Sequence, residues 1–204
     1  QLLADPRMHL CGRLTLQCFQ ALAVPAIAPL ARVRLANIVE FAAEGGSRGN
    51  AIAQALARNA TVQLASLSLI RVGLGNTGVR ALLRCKRLRG LTELTLYGHF
   101  DADALAALLA SPLVDTLERL ALGSVDVAKA KVLAAARLDA LRRLDIAALG
   151  RVRYPWPDSD HDDDGAQALA EMRAVVRILA GSRTLSDVLI ERFRSLDAAW
   201  DDWD

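Results

Sequence analysis

Aromatic side chains are scarce in this 204-residue chain, 4% of the total against 53% hydrophobic residues. A core without large aromatic anchors has to be assembled from Leu, Ala and Val, which suits many thin stacked layers. Lysine is nearly missing: 22 of the 25 basic residues are arginine, leaving Lys86, Lys129 and Lys131. That bias, together with abundant Ala, points to a GC-rich, bacterial coding sequence. Long apolar runs are lacking too. The most apolar stretch, AVPAIAPLA, is interrupted by Pro25 and Pro29 and falls short of the roughly 18–20 residues that span a bilayer. No membrane segment is expected. Cysteine is sparse and odd in number, Cys11, Cys18 and Cys85, with no metal-ligand spacing, which favours a reduced, cytoplasmic setting. With neither a signal-peptide pattern nor an initiator Met, the sequence reads as a trimmed domain of something longer.

The formal charge of +2 conceals an asymmetry: residues 1–157 carry a net +9 and residues 158–204 a net −7. Such a split suggests charged partners or contact between the two ends. It does not indicate nucleic acid, because no aromatic residues interleave with the arginines to stack on bases.

What the chain does have is a repeat. The spacing apolar-x-x-apolar-x-apolar recurs seven times, as Cys11/Leu14/Leu16, Leu30/Val33/Leu35, Leu64/Leu67/Leu69, Leu91/Leu94/Leu96, Leu117/Leu120/Leu122, Leu141/Leu144/Ile146 and Leu185/Val188/Ile190. The starts at 64, 91, 117 and 141 lie 27, 26 and 24 residues apart, within the leucine-rich-repeat period of roughly 20–29. Amphipathic segments at helical spacing fill the gaps: Ile52/Ala55/Leu56, Leu105/Leu108/Leu109, Val132/Leu133/Ala136 and Leu169/Met172/Val176/Leu179. Asn50, Thr77, Asp101 and Asp126 stand at expected N-caps. Each unit reads strand, turn, helix, return, and neither element buries its apolar face alone, so neighbouring units stack.

Over about residues 10–195 this resembles the leucine-rich repeats of the ribonuclease-inhibitor type, most clearly in LASLSLIRVGLGNTGVRALL. The resemblance implies an α/β solenoid of about seven repeats, a horseshoe with parallel strands on its concave face and helices on its convex face. It also implies a non-catalytic role in protein recognition. The chain departs from that family at one position. Eight residues after the first Leu, where Asn or Cys usually hydrogen-bonds the turn, stand Phe19, Ile38, Val72, His99, Val125, Leu149 and Phe193. The turns must satisfy their backbone groups by other means.

Three short motifs point to other chemistry. GLGNTG, residues 73–78, is a G-x-G-x-x-G after a strand and before a helix, the dinucleotide fingerprint. A dinucleotide fold buries that strand on both faces. Here Ser66 and Ser68 alternate with Leu67 and Leu69, so the glycines read as a repeat turn. GGSRG, residues 45–49, matches the nucleophile elbow around Ser47, but only His99 and His161 follow it as a base and no triad order is apparent. DHDDDGAQALAE, residues 160–171, fits a calcium loop, with Asp160, Asp162, Asp164 and Glu171 as ligands. Pro155 and Pro157 exclude an entering helix, and a solvated acidic loop before a helix explains the same composition.

The expectation is therefore one leucine-rich-repeat domain over 1–204, with inserted loops about 40–49 and 150–165 and a C-terminal cap about 191–204. Trp200 and Trp203 in LDAAWDDWD would help cover the last repeat. Alternating positions place Arg13, Arg32, Arg34, Ser68, Thr95, Tyr97, Arg119, Arg143 and Asp145 on the concave sheet as the partner-binding surface. Its arginines, lined up as a positive strip, favour a protein partner with an acidic surface. No cofactor, nucleic acid or membrane is implied. Two alternatives stay open: a calcium-binding module through residues 160–171, and the sensor end of a larger signalling or immune protein.

Overall fold

The computed structural model describes residues 12–17, 27–149, 163–185 and 188–192. They form an α/β fold around one parallel sheet. Its seven strands are β1 (Arg13–Gln17), β2 (Glu40–Glu44), β3 (Ser66–Gly75), β4 (Glu93–His99), β5 (Arg119–Val125), β6 (Arg143–Leu149) and β7 (Leu189–Arg192). Every strand pairs with its sequence neighbour, in the order β1 to β7. The helices are α1 (Gly49–Arg58), α2 (Asn76–Leu83), α3 (Ala102–Leu109), α4 (Val127–Ala135) and α5 (Asp163–Ala180). Each packs against the helix before it. Parallel strands added in sequence, joined by crossovers of one hand, put successive helices on the same side of a sheet.

The register turns the repeat into continuous rows. Leu14, Phe41, Leu67, Leu94, Leu120 and Leu144 are aligned across the sheet, as are Leu16, Ala43, Leu69, Leu96, Leu122 and Ile146. All but the half-buried Leu16 belong to a single buried cluster with Ile52, Leu56, Val79, Leu82, Leu105, Leu108 and Leu133 from the helices. Side chains on a strand alternate faces, so the residues between these leucines point to the other face.

Strands β3 to β6 include the expected 67–69, 94–96, 120–122 and 144–146, and β1 includes 14–16. The strand expected at 33–35 is not there. Ala28–Ala31 is a short 3-10 turn with Pro29 near its start, and buried Leu30 and Leu35 serve a helix-to-strand connector. Asn59 ties that connector down: its Nδ2 donates to the Leu30 and Val33 carbonyls at 2.7 and 2.8 Å. Thr61 Oγ1 accepts the Leu35 N–H at 2.7 Å. The true second strand is β2, carried by Ile38, Phe41 and Ala43, so part of the expected 40–49 insertion is a regular strand.

On α5 the buried positions are Val175 and Leu179, while Leu169 and Val176 are exposed. The core face is rotated from the expected one. Residues 150–162 and 193–204, and with them most of the expected second insertion and the terminal cap, lie outside the described residues.

Candidate functional site

The polar face of the sheet, which no described helix covers, carries two rows. One runs Arg13, Glu40, Ser66, Glu93, Arg119, Arg143; the next runs Thr15, Ala42, Ser68, Thr95, Ala121, Asp145. Seven of the nine expected binding residues are thus brought to one face: Arg13, Ser68, Thr95, Tyr97, Arg119, Arg143 and Asp145. Arg32 and Arg34 are not among them. Both are exposed on the connector before β2, because the triple that contains them never forms a strand. Their places near β1 are taken by Glu40, Ala42 and Glu44, which the misplaced strand concealed. Counting one 26- to 27-residue period back from Leu64 to Ile38 would have found them.

At the β4–β6 end these residues form a cluster around Asp145. Its side chain is 0% exposed and accepts two charge-assisted bonds, from Arg119 Nε to Oδ2 and from Arg143 Nε to Oδ1, both 2.8 Å. Arg143 lies two residues along the same strand, and Arg119 reaches over diagonally from β5. Ala121, the register partner of Asp145, is buried although it belongs to the open face, so its longer neighbours roof it. Tyr97 joins from β4. Burial pushes its hydroxyl up from the ordinary value; the negative charge of Asp145 adds to the shift and Arg119 opposes it. At neutral pH that hydroxyl is a donor. Gly123 lets β5 lie close against Tyr97, since a Cβ there would stand 3.0 Å from Tyr97 Cα and 3.3 Å from its Cβ.

The face is not the unopposed positive strip expected from sequence. Arg13 is ion-paired with Glu40, Glu93 stands in register with Arg119, and Arg119 and Arg143 share one carboxylate. Alternating signs and one rigid Arg–Asp–Arg bridge replace the strip.

The strand-to-helix edge explains both glycine motifs. Gly73 has φ +70°, and a Cβ there would stand 3.0 Å from the Ser47 backbone. A Cβ on Gly49 would meet Val72 Cγ2 at 2.7 Å and the Leu74 nitrogen at 2.8 Å. GLGNTG and GGSRG are thus successive turns of the stack, pressed together where any side chain would hold them apart. Between them Asn50 Oδ1 accepts the N–H groups of Gly75 and Gly78, both at 2.9 Å. One layer on, the Asn76 side chain pairs with Asp101, accepting its N–H at 2.9 Å. Asp101 and Asp126 cap their own helices by accepting from Ala104 and Lys129 at 2.8 Å. These residues satisfy the turns in place of an Asn ladder, one to four positions further along each repeat. Thr77 lies inside α2 and Asn50 inside α1, so neither is the N-cap expected. The Asp101 carboxyl is held below its usual range, chiefly by the Ala104 N–H, with help from the Asn76 side chain and the Arg80 charge.

The other sequence motifs lie only in part within the described residues. His99 is exposed at the end of β4, and His161 lies outside the described residues. Asp160 and Asp162 lie outside them as well. Asp164 and Glu171 are on one continuous helix, α5, about 10 Å apart along its axis at 1.5 Å per residue. A calcium loop keeps its middle ligand positions on turning, non-helical backbone, whereas Asp164 is already in α5. Among the described residues no three His, Cys, Asp or Glu side chains converge as metal ligands would, and no helix is long and apolar enough to cross a membrane.

Comparison with known proteins gives no relative: no family model, curated sequence or solved structure matches the chain.

Proposed function

We propose that this chain is a leucine-rich-repeat solenoid of about seven units that recognises a protein partner through its open sheet face. On this reading the sheet is the concave side of a horseshoe, the helices its convex side, and the role is recognition without catalysis, in the cytoplasm. The observation that carries it is the Tyr97–Arg119–Asp145–Arg143 cluster. Long polar side chains are held in fixed positions, on a rigid sheet, by a carboxylate that itself never reaches solvent. A surface ordered before contact loses little freedom on binding, and Arg and Tyr are the residues on which interfaces concentrate their energy. Two guanidinium groups share one Asp and Glu93 stands beside Arg119, so the cluster presents both signs of charge, which favours a partner surface of complementary, mixed charge. The repeat period, the sequential parallel sheet and the one-sided burial of its leucines support the family assignment.

The test is a capture experiment with paired variants. Tyr97→Ser with Arg119→Ser should abolish capture of the partner while the chain stays folded, because Arg143 still donates to Asp145, whereas Arg32→Ser with Arg34→Ser should change nothing. The reverse pattern would move recognition off the sheet.

A further inference from the structure

Positive charge collects at the edge of the stack where helices return to strands. Between α2 and β4 the connector presents Arg84, Lys86, Arg87 and Arg89, all exposed. Cys85, Leu88 and Leu91 interleave with them and are buried, so three inward side chains fix the course of four outward charges. Neighbouring layers tie the connector on both sides. Cys85 Sγ donates to the Leu56 carbonyl at 4.0 Å, and Thr116 Oγ1 donates to the Arg89 and Leu91 carbonyls at 2.8 Å. Among the described residues none of the four cations reaches a carboxylate. Residues 27–39, 59–65 and 84–92, which lead into β2, β3 and β4, contain no acidic residue. The next connector reverses the sign, with Asp115 and Glu118 exposed.

Beside this patch lies a groove of about 380 Å³, formed by Val39, Gln63, Leu64, Ala65, Arg87 and Gly90. These residues precede three successive strands, which stand about 4.8 Å apart, so the groove runs about 10 Å across the layers, the length of three extended residues. Val39, Leu64 and Ala65 give it an apolar wall. Val39 is 47% exposed, the one large exposed hydrophobic outside α5 and β7 among the described residues. Nothing lies within 4 Å of where a Gly90 Cβ would stand, so the groove is open beside Arg87. Its backbone acceptors are already taken. The Val39 carbonyl accepts the N–H groups of Ala65 and Ser66 at 2.8 and 3.1 Å, and the Ala65 carbonyl those of Thr92 and Glu93 at 2.8 and 3.0 Å. An added strand finds no ladder here, and an occupant has to dock through its side chains.

We propose that this groove binds a short acidic peptide segment of a partner protein, separately from the sheet face. One aliphatic side chain sits against Val39 and Leu64, and the carboxylates that follow it meet Arg84, Lys86, Arg87 and Arg89. Four cations without a counter-charge select an anionic occupant, and the apolar wall selects a peptide over a phosphate chain. No aromatic residue occurs in 27–39, 59–65 or 84–92, so nucleic-acid bases find no ring to stack on. Asp115 and Glu118 repel a longer acidic run, which keeps the segment short. A connector held in place before contact loses little freedom on binding.

The probe is a fluorescein-labelled peptide with one Leu set among Glu residues, titrated with the full chain and followed by fluorescence anisotropy. Lys86→Ser with Arg87→Ser should weaken binding about tenfold, and added salt should weaken it as well. Gly90→Glu should also weaken it, at a position where an added Cβ meets nothing within 4 Å. Val39→Ser should lower affinity for the Leu peptide and leave that for an all-Glu peptide of equal charge unchanged. Circular dichroism should stay native in these three variants. Tyr97→Ser with Arg119→Ser should leave peptide affinity as it was, since those residues serve the sheet face. Absence of binding would overturn the proposal, and so would equal affinity for the two peptides. Tighter binding of single-stranded RNA of equal charge would overturn it too, making the patch a phosphate site. Binding lost with Tyr97 and Arg119 but kept in Gly90→Glu would place the peptide on the sheet instead.

Discussion

Removing Asp145 should cost less stability than removing its two arginines, although both changes break the same pair of bonds. Asp145→Asn forfeits two charge-assisted bonds, each worth about 1.5–3 kcal/mol in a typical setting. Arg119 and Arg143 are 39% and 36% exposed, so both can turn to water, and their attraction is already screened. The neutral amide is also cheaper to bury than the carboxylate. The net cost falls to about 1–2 kcal/mol. Arg119→Met with Arg143→Met leaves a carboxylate that is 0% exposed without either donor, a loss of about 3–5 kcal/mol. For a chain of this size each kcal/mol moves the midpoint by about 2–4 °C. Thermal melts followed by circular dichroism should therefore separate the variants clearly, with the double arginine variant the lower. Adding Asp145→Leu to the double variant should recover most of the loss, since no charge then remains buried. Equal costs for Asp145→Asn and the double variant would refute the reasoning.

Gly98→Ala should cost about 1–3 kcal/mol, because its Cβ would stand 2.3 Å from the Leu74 carbonyl oxygen; Gly90→Ala, with nothing within 4 Å, should melt like the parent. Asn50→Ala should lower the urea midpoint by the equivalent of about 2–3 kcal/mol, since two turn N–H groups lose their acceptor. Lys129 is buried, donates to the Ser124 carbonyl and sits 5.1 Å from the Phe100 ring centroid. Burial holds it below the ordinary lysine value against the pull of Asp126 and Asp101, so the unfolded chain binds its proton more tightly. Stability should thus gain from Lys129 as pH rises through the folded value toward the unfolded one of about 10.4. Urea titrations across that range should show this contribution vanish in Lys129→Met.

Strands β3 to β6 were legible because Leu-x-x-Leu-x-Leu, with Ile146 in the last place of the fourth, marks them at a steady period. β2 was not, because Ala42 and Ala43 carry little hydrophobic signal, while Leu30, Val33 and Leu35 mimic the motif in a connector whose order comes from Asn59 and Thr61, some 26–29 residues away. The same locality explains the glycine motifs. GLGNTG and GGSRG match enzyme signatures as strings, and only the stacked layer shows that each is shaped by the other. Tyr97, Arg119, Arg143 and Asp145 were placed on the right face by alternation alone. Their charge pairing needed the register between β5 and β6, which no single strand encodes. On α5, the helix has an apolar stripe on two sides, and periodicity does not tell which one meets the core.

A photo-crosslinking amino acid placed at single positions tests the central claim most directly. At Thr95 and Ala42, on the open sheet face, it should yield covalent adducts with one partner protein in cells, and added salt should weaken the Thr95 adduct. At Arg58 and Lys131, exposed on α1 and α4, it should yield none. Adducts from Arg58 or Lys131 with none from Thr95 and Ala42 would contradict the account, placing recognition on the helices and reducing the Asp145 cluster to a structural brace.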